Sequence, residues 1–216
     1  MTIQHTFPPA THVLAQELLP LPRLKLQQIH EMAEWIGFET RNKYSVTDQN
    51  NNPIGYAAEQ QKGFWGFVLR QYLGHWRRFD IHVFNSKREK ALKLTHPFRW
   101  FFQRLEVYDA KNEMIGAIQQ RFAFFHKSFD VEDPRGKIRY EVRSPIWRVW
   151  TFTFSKHGRE VAEVQKRWSG LLSEMFTDKD NFVLSLHGDN LDSEDRLLIL
   201  AAALFVDLQY FERKAR

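Results

Sequence analysis

Residues able to hold a hard cation gather towards the C-terminal end of the chain. Asp178-Lys-Asp180-Asn181 is followed by Asp189-Asn190-Leu-Asp192, and carboxylate and amide oxygens are the ligands calcium prefers. The spacing departs from an EF-hand loop. Counted from Asp178, the fifth residue is Phe182, the sixth is Val183 where that loop needs Gly, and the twelfth is Asp189 where it needs Glu. Calcium binding through Asp178, Asp180, Asn181, Asp189 and Asp192 is therefore expected to be weak at best. The alternative is a strand, Phe182 to Leu186, between two solvated acidic turns, the second of which caps a helix.

A second set of residues mixes aromatic rings with cations: Trp76-Arg77-Arg78-Phe79, Phe98-Arg99-Trp100-Phe101-Phe102 and Ile146-Trp147-Arg148-Val149-Trp150. Trp settles at the headgroup level of a bilayer and Arg meets phosphate there. Arg77, Arg78, Arg99, Trp100 and Arg148 are the candidate headgroup contacts. The same mixture suits single-stranded nucleic acid, through stacking plus backbone charge, a weaker expectation here. It also suits barrel strands with rings inward and Arg outward.

Covalent and metal catalysis lack the residues they need. The nine His fall in no H-x3-H or HExxH arrangement, and neither a G-x-S-x-G elbow nor a phosphate-binding Gly loop occurs. Cysteine is absent, which removes thiol nucleophiles, disulfides, zinc–thiolate sites and a palmitoyl anchor. A non-enzymatic protein is expected, without a metal cluster and with weak calcium as its one candidate cofactor. The net charge of +5 suits an anionic partner, or serves solubility alone.

These residues need a scaffold, and composition leans towards a β-rich one. Aromatic residues make up 15 % of the 216, with 19 Phe and 7 Trp, and flat rings pack well on a pleated surface. Residues 1–22 carry Pro8, Pro9, Pro20 and Pro22 and read as an extended arm. From Arg23 to Trp35 the spacing of Leu24, Ile29, Met32 and Ala33 suggests a short amphipathic helix. Arm and helix together give an N-terminal segment over 1–34, with a barrel domain over 35–216. No Lys or Arg precedes Arg23 and no long apolar core follows the start, so a cleaved signal peptide is not expected.

Beyond Phe38 a pattern recurs. Val46-Thr-Asp48 reaches Ile54-Gly55 after five residues, and Val107-Tyr-Asp109 reaches Ile115-Gly116 after five. Looser copies run from Val83-Phe-Asn85, from Val131-Glu-Asp133 and from Phe154 to Gly158. An apolar strand end, an Asp or Asn, a polar stretch with Gly or Asn and a second apolar run make a β-hairpin. Five hairpins, with the alternating Val161–Trp168 and Phe182–Leu186, predict about eleven or twelve strands.

After Asp192-Ser-Glu-Asp195, ten consecutive residues from Leu197 to Val206 are apolar. About 20 are needed to span a bilayer, and shorter runs more often mark a buried helix. A helix that is apolar all round must be surrounded all round. A closed barrel of eleven or more strands has room for one helix, so a central helix over about 195–211 is expected. Asp207 interrupts it as a buried acceptor facing an Arg or backbone donors.

Several segments in order resemble the phospholipid scramblases and their bacterial relatives, which share the Tubby C-terminal-like fold. They are Phe38–Asp48, Ile54–Glu59, His96–Phe102, Gln165–Gly170, Glu174–Phe182, Phe205–Asp207 and Tyr210–Glu212. The resemblance implies a closed antiparallel barrel of about 12 strands around the C-terminal helix. It also implies association with membrane phospholipid, phospholipid movement between leaflets, and a calcium segment starting at Asp180-Asn181-Phe182. The chain lacks the cysteine cluster and long Pro-rich tail of the eukaryotic members. A cytoplasmic protein, peripheral at the inner membrane surface, is the expectation. The alternative is a ligand-binding or scaffold barrel with no membrane role.

Overall fold

A computed structural model describes residues 6–29, 43–60, 78–124, 126–148, 150–167, 181–187 and 191–211. Twelve antiparallel strands close into one barrel in which each strand pairs with its neighbours in sequence, and the first pairs with the last. They are β1 (Arg23–Gln28), β2 (Lys43–Asp48), β3 (Pro53–Gln60), β4 (Phe79–Asn85), β5 (Lys90–His96) and β6 (Arg104–Asp109). The others are β7 (Met114–Arg121), β8 (His126–Glu132), β9 (Ile138–Pro145), β10 (Thr151–Lys156), β11 (Arg159–Arg167) and β12 (Asn181–Leu186). Two helices stand among the described residues, α1 (Pro9–Leu18) and α2 (Ser193–Val206), the latter continuing into a π-helical turn, Asp207–Phe211.

The strand order puts tight hairpin turns at one end of the barrel and the longer connections at the other. Four of the five tight turns share one construction. Asp48 Oδ1 accepts from the backbone N–H of Asn50 and Asn52 at 2.7 and 2.8 Å, and Asp109 Oδ1 from Lys111 and Glu113 at 2.8 and 2.9 Å. Asp133 does the same for Arg135 and Lys137, both at 2.9 Å, and Asn85 Oδ1 accepts from Glu89 at 3.0 Å. Three residues after each Asp or Asn the backbone turns left-handed, at Asn51, Arg88, Asn112 and Gly136. Gly and Asn adopt that conformation at low cost and Arg at a higher one. Arg88→Asn is therefore expected to raise stability by about 0.5–1 kcal/mol, read as a higher urea midpoint at unchanged slope.

The glycines of the repeated pattern have a separate cause. A Cβ on Gly55 would meet the Phe84 carbonyl oxygen at 2.4 Å, and one on Gly116 would meet that of Glu132 at 2.5 Å and the Leu198 side chain at 2.8 Å. Each glycine thus lets the next strand pass close by, and Gly116 also admits α2.

The N-terminal expectation is corrected. Residues 9–18 form a helix where an extended arm was expected, and Arg23–Gln28 is a barrel strand where a helix was expected; residues 30–42 lie outside the described set. The barrel begins at Arg23 rather than near residue 35, because β1 pairs with both β12 and β2 and closes the cylinder. Leu24 and Leu26 face inward and Lys25 and Gln27 outward, a two-residue period that the wider helical spacing obscures. Pro at the start of α1 suits the first helical turn, and Leu14, Ala15 and Leu18 are fully buried. Thr11 Oγ1 donates to the Ala91 carbonyl at 2.7 Å and accepts from Ala110 N–H at 3.0 Å, which ties α1 to two hairpin ends. Arg196 Nη1 donates to the carbonyls of Leu18 and Leu21 at 2.9 and 2.8 Å, joining α1 to α2.

Every residue from Leu197 to Val206 is at most 2 % exposed, so α2 is the barrel's core. Asp192 caps it, accepting from Asp195 N–H at 2.7 Å while the Asp195 side chain answers on Asp192 N–H. Arg139 on β9 holds the same end, 2.6 Å from the buried carboxylate of Asp195 and paired with Glu194 and Asp192. Burial pushes the Asp195 carboxyl above its ordinary value, and Tyr140 and Arg139 oppose that shift. Burial and the Asp195 charge likewise raise the Tyr140 phenol. Arg139→Met is expected to cost about 2 kcal/mol, because it leaves Asp195 buried without its countercharge. The loss should shrink as the pH is lowered and Asp195 takes up a proton, which chemical denaturation at two pH values would show.

Candidate functional site

The end of the barrel opposite the tight turns is built differently. Three successive connections there, 97–103 between β5 and β6, 122–125 between β7 and β8, and 146–150 between β9 and β10, carry aromatic residues into solvent. Trp147 is 84 % exposed, Phe124 82 %, Phe101 81 % and Trp100 61 %, with Phe98, Phe102 and Phe122 also exposed. Large rings seldom cluster in water unless a partner covers them.

The backbone beneath them is pinned. Gln103 N–H donates to Gln120 Oε1 at 3.0 Å, Gln120 N–H returns to the Gln103 carbonyl at 2.8 Å, and Gln119 Nε2 donates to the Phe102 carbonyl at 3.2 Å. Phe102 is left-handed at φ 47°. Ser144 Oγ donates to the Arg148 carbonyl at 3.2 Å and fixes the 3-10 turn Ile146–Arg148. The rings then brace one another edge to face: Phe98 on Trp100 at 5.4 Å, Phe102 on Phe122 at 6.4 Å, and Phe122 on Phe124 at 4.7 Å between centroids. Two loops are thereby joined into one apolar rim, with Arg99 and Arg148 exposed beside the rings.

The alternative of barrel strands with rings inward is overturned for Phe98–Phe102 and Trp147. These residues lie in connections, where no strand alternation directs a side chain inward. Trp150 differs: it is half-buried, with Lys166 Nζ 5.5 Å from its ring centroid. Phe122 and Phe124 escaped the sequence-based candidates because no Arg is interleaved with them. The available signal was a short connection of sequence Phe-Ala-Phe-Phe.

The other candidates are scattered. Arg78 is exposed at the start of β4, away from the rim loops in sequence, and Arg77 lies outside the described residues. Asp178, Asp180 and Asp189 also lie outside them, and Asn181 begins β12. Asp192 is engaged in the α2 cap and with Arg139. Among the described residues no group of three or more His, Asp or Glu is arranged to hold a metal ion. Asp207 is buried at the C-terminal end of α2, 2 % exposed, where its N–H reaches the Ala203 and Leu204 carbonyls. No helix among the described residues is long and apolar enough to cross a membrane.

Comparison with known proteins gives these features a context. The Scramblase family model matches residues 1–213. A phospholipid scramblase family protein of Schizosaccharomyces pombe is 24 % identical over 95 % of this chain, and phospholipid scramblase 2 of Bos taurus 25 % identical over 86 %. The chain spans 62 % and 67 % of those relatives' own lengths. A crystal structure of an Arabidopsis thaliana protein aligns over 87 % of this chain and 91 % of its own, at 13 % identity and a TM-score of 0.48. With a family model matched over nearly its whole length, the chain belongs to the Scramblase family.

Proposed function

We propose that this protein binds the surface of phospholipid membranes end-on, with the aromatic rim as the part that enters the interface. The observation that carries this is the rim itself: seven exposed Phe and Trp side chains on three adjacent, backbone-pinned connections at one end of the barrel. Rings of this kind gain by leaving water for the headgroup region, and Arg99 and Arg148 beside them would meet lipid phosphate. The names of the scramblase relatives support a phospholipid partner. Movement of lipid between leaflets is a further step of the same reading, and it must work without α2, whose apolar residues are already enclosed by the barrel. Co-sedimentation with phosphatidylcholine vesicles, with and without anionic lipid, tests the binding. Sedimentation that strengthens with anionic lipid and weakens with salt is the expected result; no binding to either vesicle at low salt would end the proposal.

A further inference from the structure

On the outer wall of the barrel, β5 and β6 border an open groove of about 410 Å³. It is lined by Arg78, Lys93, Thr95, Glu106, Tyr108 and Asn112, with Pro97 at its edge. The volume lies within the range of small-ligand sites. Strand pairing sets Lys93 beside Tyr108 and Thr95 beside Glu106, so the polar groups stand in two facing rows.

Three features distinguish this groove from an ordinary stretch of solvated strand. First, Thr95 is only 7 % exposed and its hydroxyl has no hydrogen-bond partner. An unpaired buried hydroxyl costs stability, and a ligand oxygen arriving in the groove would supply what it lacks. Second, Arg78 and Lys93 make no ion pair with an acid among the described residues. Third, the one carboxylate in the lining is already compensated: Glu106 accepts from the Tyr108 hydroxyl at 2.8 Å and lies 3.5 Å from Arg104 Nε. The groove therefore presents two cations that no acid among the described residues pairs, a buried hydroxyl without a hydrogen-bond partner and the Asn112 amide, with a compensated carboxylate to accept from a ligand hydroxyl.

We propose that this groove is a binding site for a hydroxyl-bearing phosphate ester of the glycerol phosphate type, either free or as the headgroup of a lipid. Arg78 offers the phosphate a planar fork of donors, and Lys93 a point charge. Thr95 donates to a third phosphate oxygen, and Glu106 and Asn112 accept from the hydroxyls. The groove shares Pro97 with the first rim connection but includes none of the exposed rings, and binding there does not require that the rim enter a membrane.

Two probes distinguish the sources: sn-glycerol 3-phosphate in titration calorimetry, and vesicles of phosphatidylcholine with phosphatidylglycerol in co-sedimentation. The whole chain is used in both. At least one probe is expected to bind saturably, the first marking a free ester and the second alone marking a headgroup. Lys93→Glu should weaken that binding about tenfold or more, the loss of one charge-assisted contact. Thr95→Val keeps the side-chain shape and removes the unpaired hydroxyl. It should weaken binding about threefold while the protein melts at the same or a higher temperature, so the loss cannot be laid to unfolding. Serine substitutions in the rim should leave glycerol phosphate binding unchanged. No saturable binding of either probe overturns the proposal. So does binding that Lys93→Glu and Thr95→Val leave at the wild-type level, even where the vesicles are still bound through the rim.

Discussion

Replacing Trp100, Phe124 and Trp147 together with serine is expected to lower vesicle binding about a thousandfold and leave the fold intact. All three side chains are more than 60 % exposed, so the folded protein loses little packing when they are truncated. Each ring that leaves water contributes about 1.5 kcal/mol, taken from the low end of the range because the membrane interface is only partly dry. Three rings therefore amount to about 4–5 kcal/mol, and a factor of ten corresponds to about 1.4 kcal/mol. Circular dichroism and the thermal midpoint should match the wild type within about 2 °C. A charge-only mechanism predicts a different pattern. The serine variant would then bind as before, and Arg99→Ala with Arg148→Ala would carry the loss. Sedimentation of the two variants side by side separates the cases, and an unimpaired serine variant would refute the end-on orientation.

Gly116→Ala should destabilise the barrel by about 3 kcal/mol, despite adding a single methyl group, which is at the upper end of what overpacking usually costs. The added carbon would sit 2.5 Å from the Glu132 carbonyl oxygen and 2.8 Å from a Leu198 methyl. One obstacle is a flexible side chain of α2; the other is the backbone of β8, which is held in the sheet through the Val131–Ile118 and Glu132–Ala117 pairs. Adding Leu198→Ala should therefore recover less than its own contact with the new methyl, since the carbonyl stays in place. A double-mutant cycle by urea denaturation gives the coupling between the two sites. A Gly116→Ala midpoint equal to the wild type would mean that β7 and β8 can move apart, contrary to the close approach that the glycine permits.

The two substitutions act on opposite kinds of structure, which is why one is expected to be silent in stability and the other silent in chemistry. Gly116 lies where three elements meet, so a local change there spreads into sheet and helix. The rim rings are largely exposed, and their removal is local. The Thr95 groove falls between these extremes: its hydroxyl is buried without a partner, a small fixed cost that makes sense where a ligand completes the site.

Much of the barrel was legible in the order of residues, because hairpins are local. In three turns an Asp bonds to backbone N–H two and four residues on, in a fourth Asn85 bonds to the one four residues on, and the left-handed position follows three residues after each, so the chemistry of these turns is complete within one short segment. The unbroken apolar run from Leu197 to Val206 likewise required enclosure wherever it lay, and a set of about twelve strands was the only element large enough to provide it. Where the period was short and mixed, sequence misled: Leu24 and Leu26 alternate for only six residues, and the pairing of β1 with β12, more than 150 residues away, is what makes them a strand. The same holds for α1, whose buried face has meaning only against the mouth of a closed barrel.

The functional surface divides in the same way. That Trp100 and Trp147 stand among cations could be read directly, and so could the absence of any nucleophile or metal-binding spacing. That Phe122 and Phe124 join them could not, because the three connections are separated along the chain by whole strands, β6 with β7 and β8 with β9, and become neighbours only when consecutive strands bring alternate loops to one end. The pairing of Thr95 with Glu106, and the placement of Arg78 and Lys93 over the same groove, belong to the registers of β4 with β5 and of β5 with β6. Sequence alone determined the turns, the enclosed helix and the types of side chain available, all set by contacts within a few residues or by bulk hydrophobicity. The tertiary structure decided which side chains share a surface, because that depends on strand register and barrel closure, which no local segment contains.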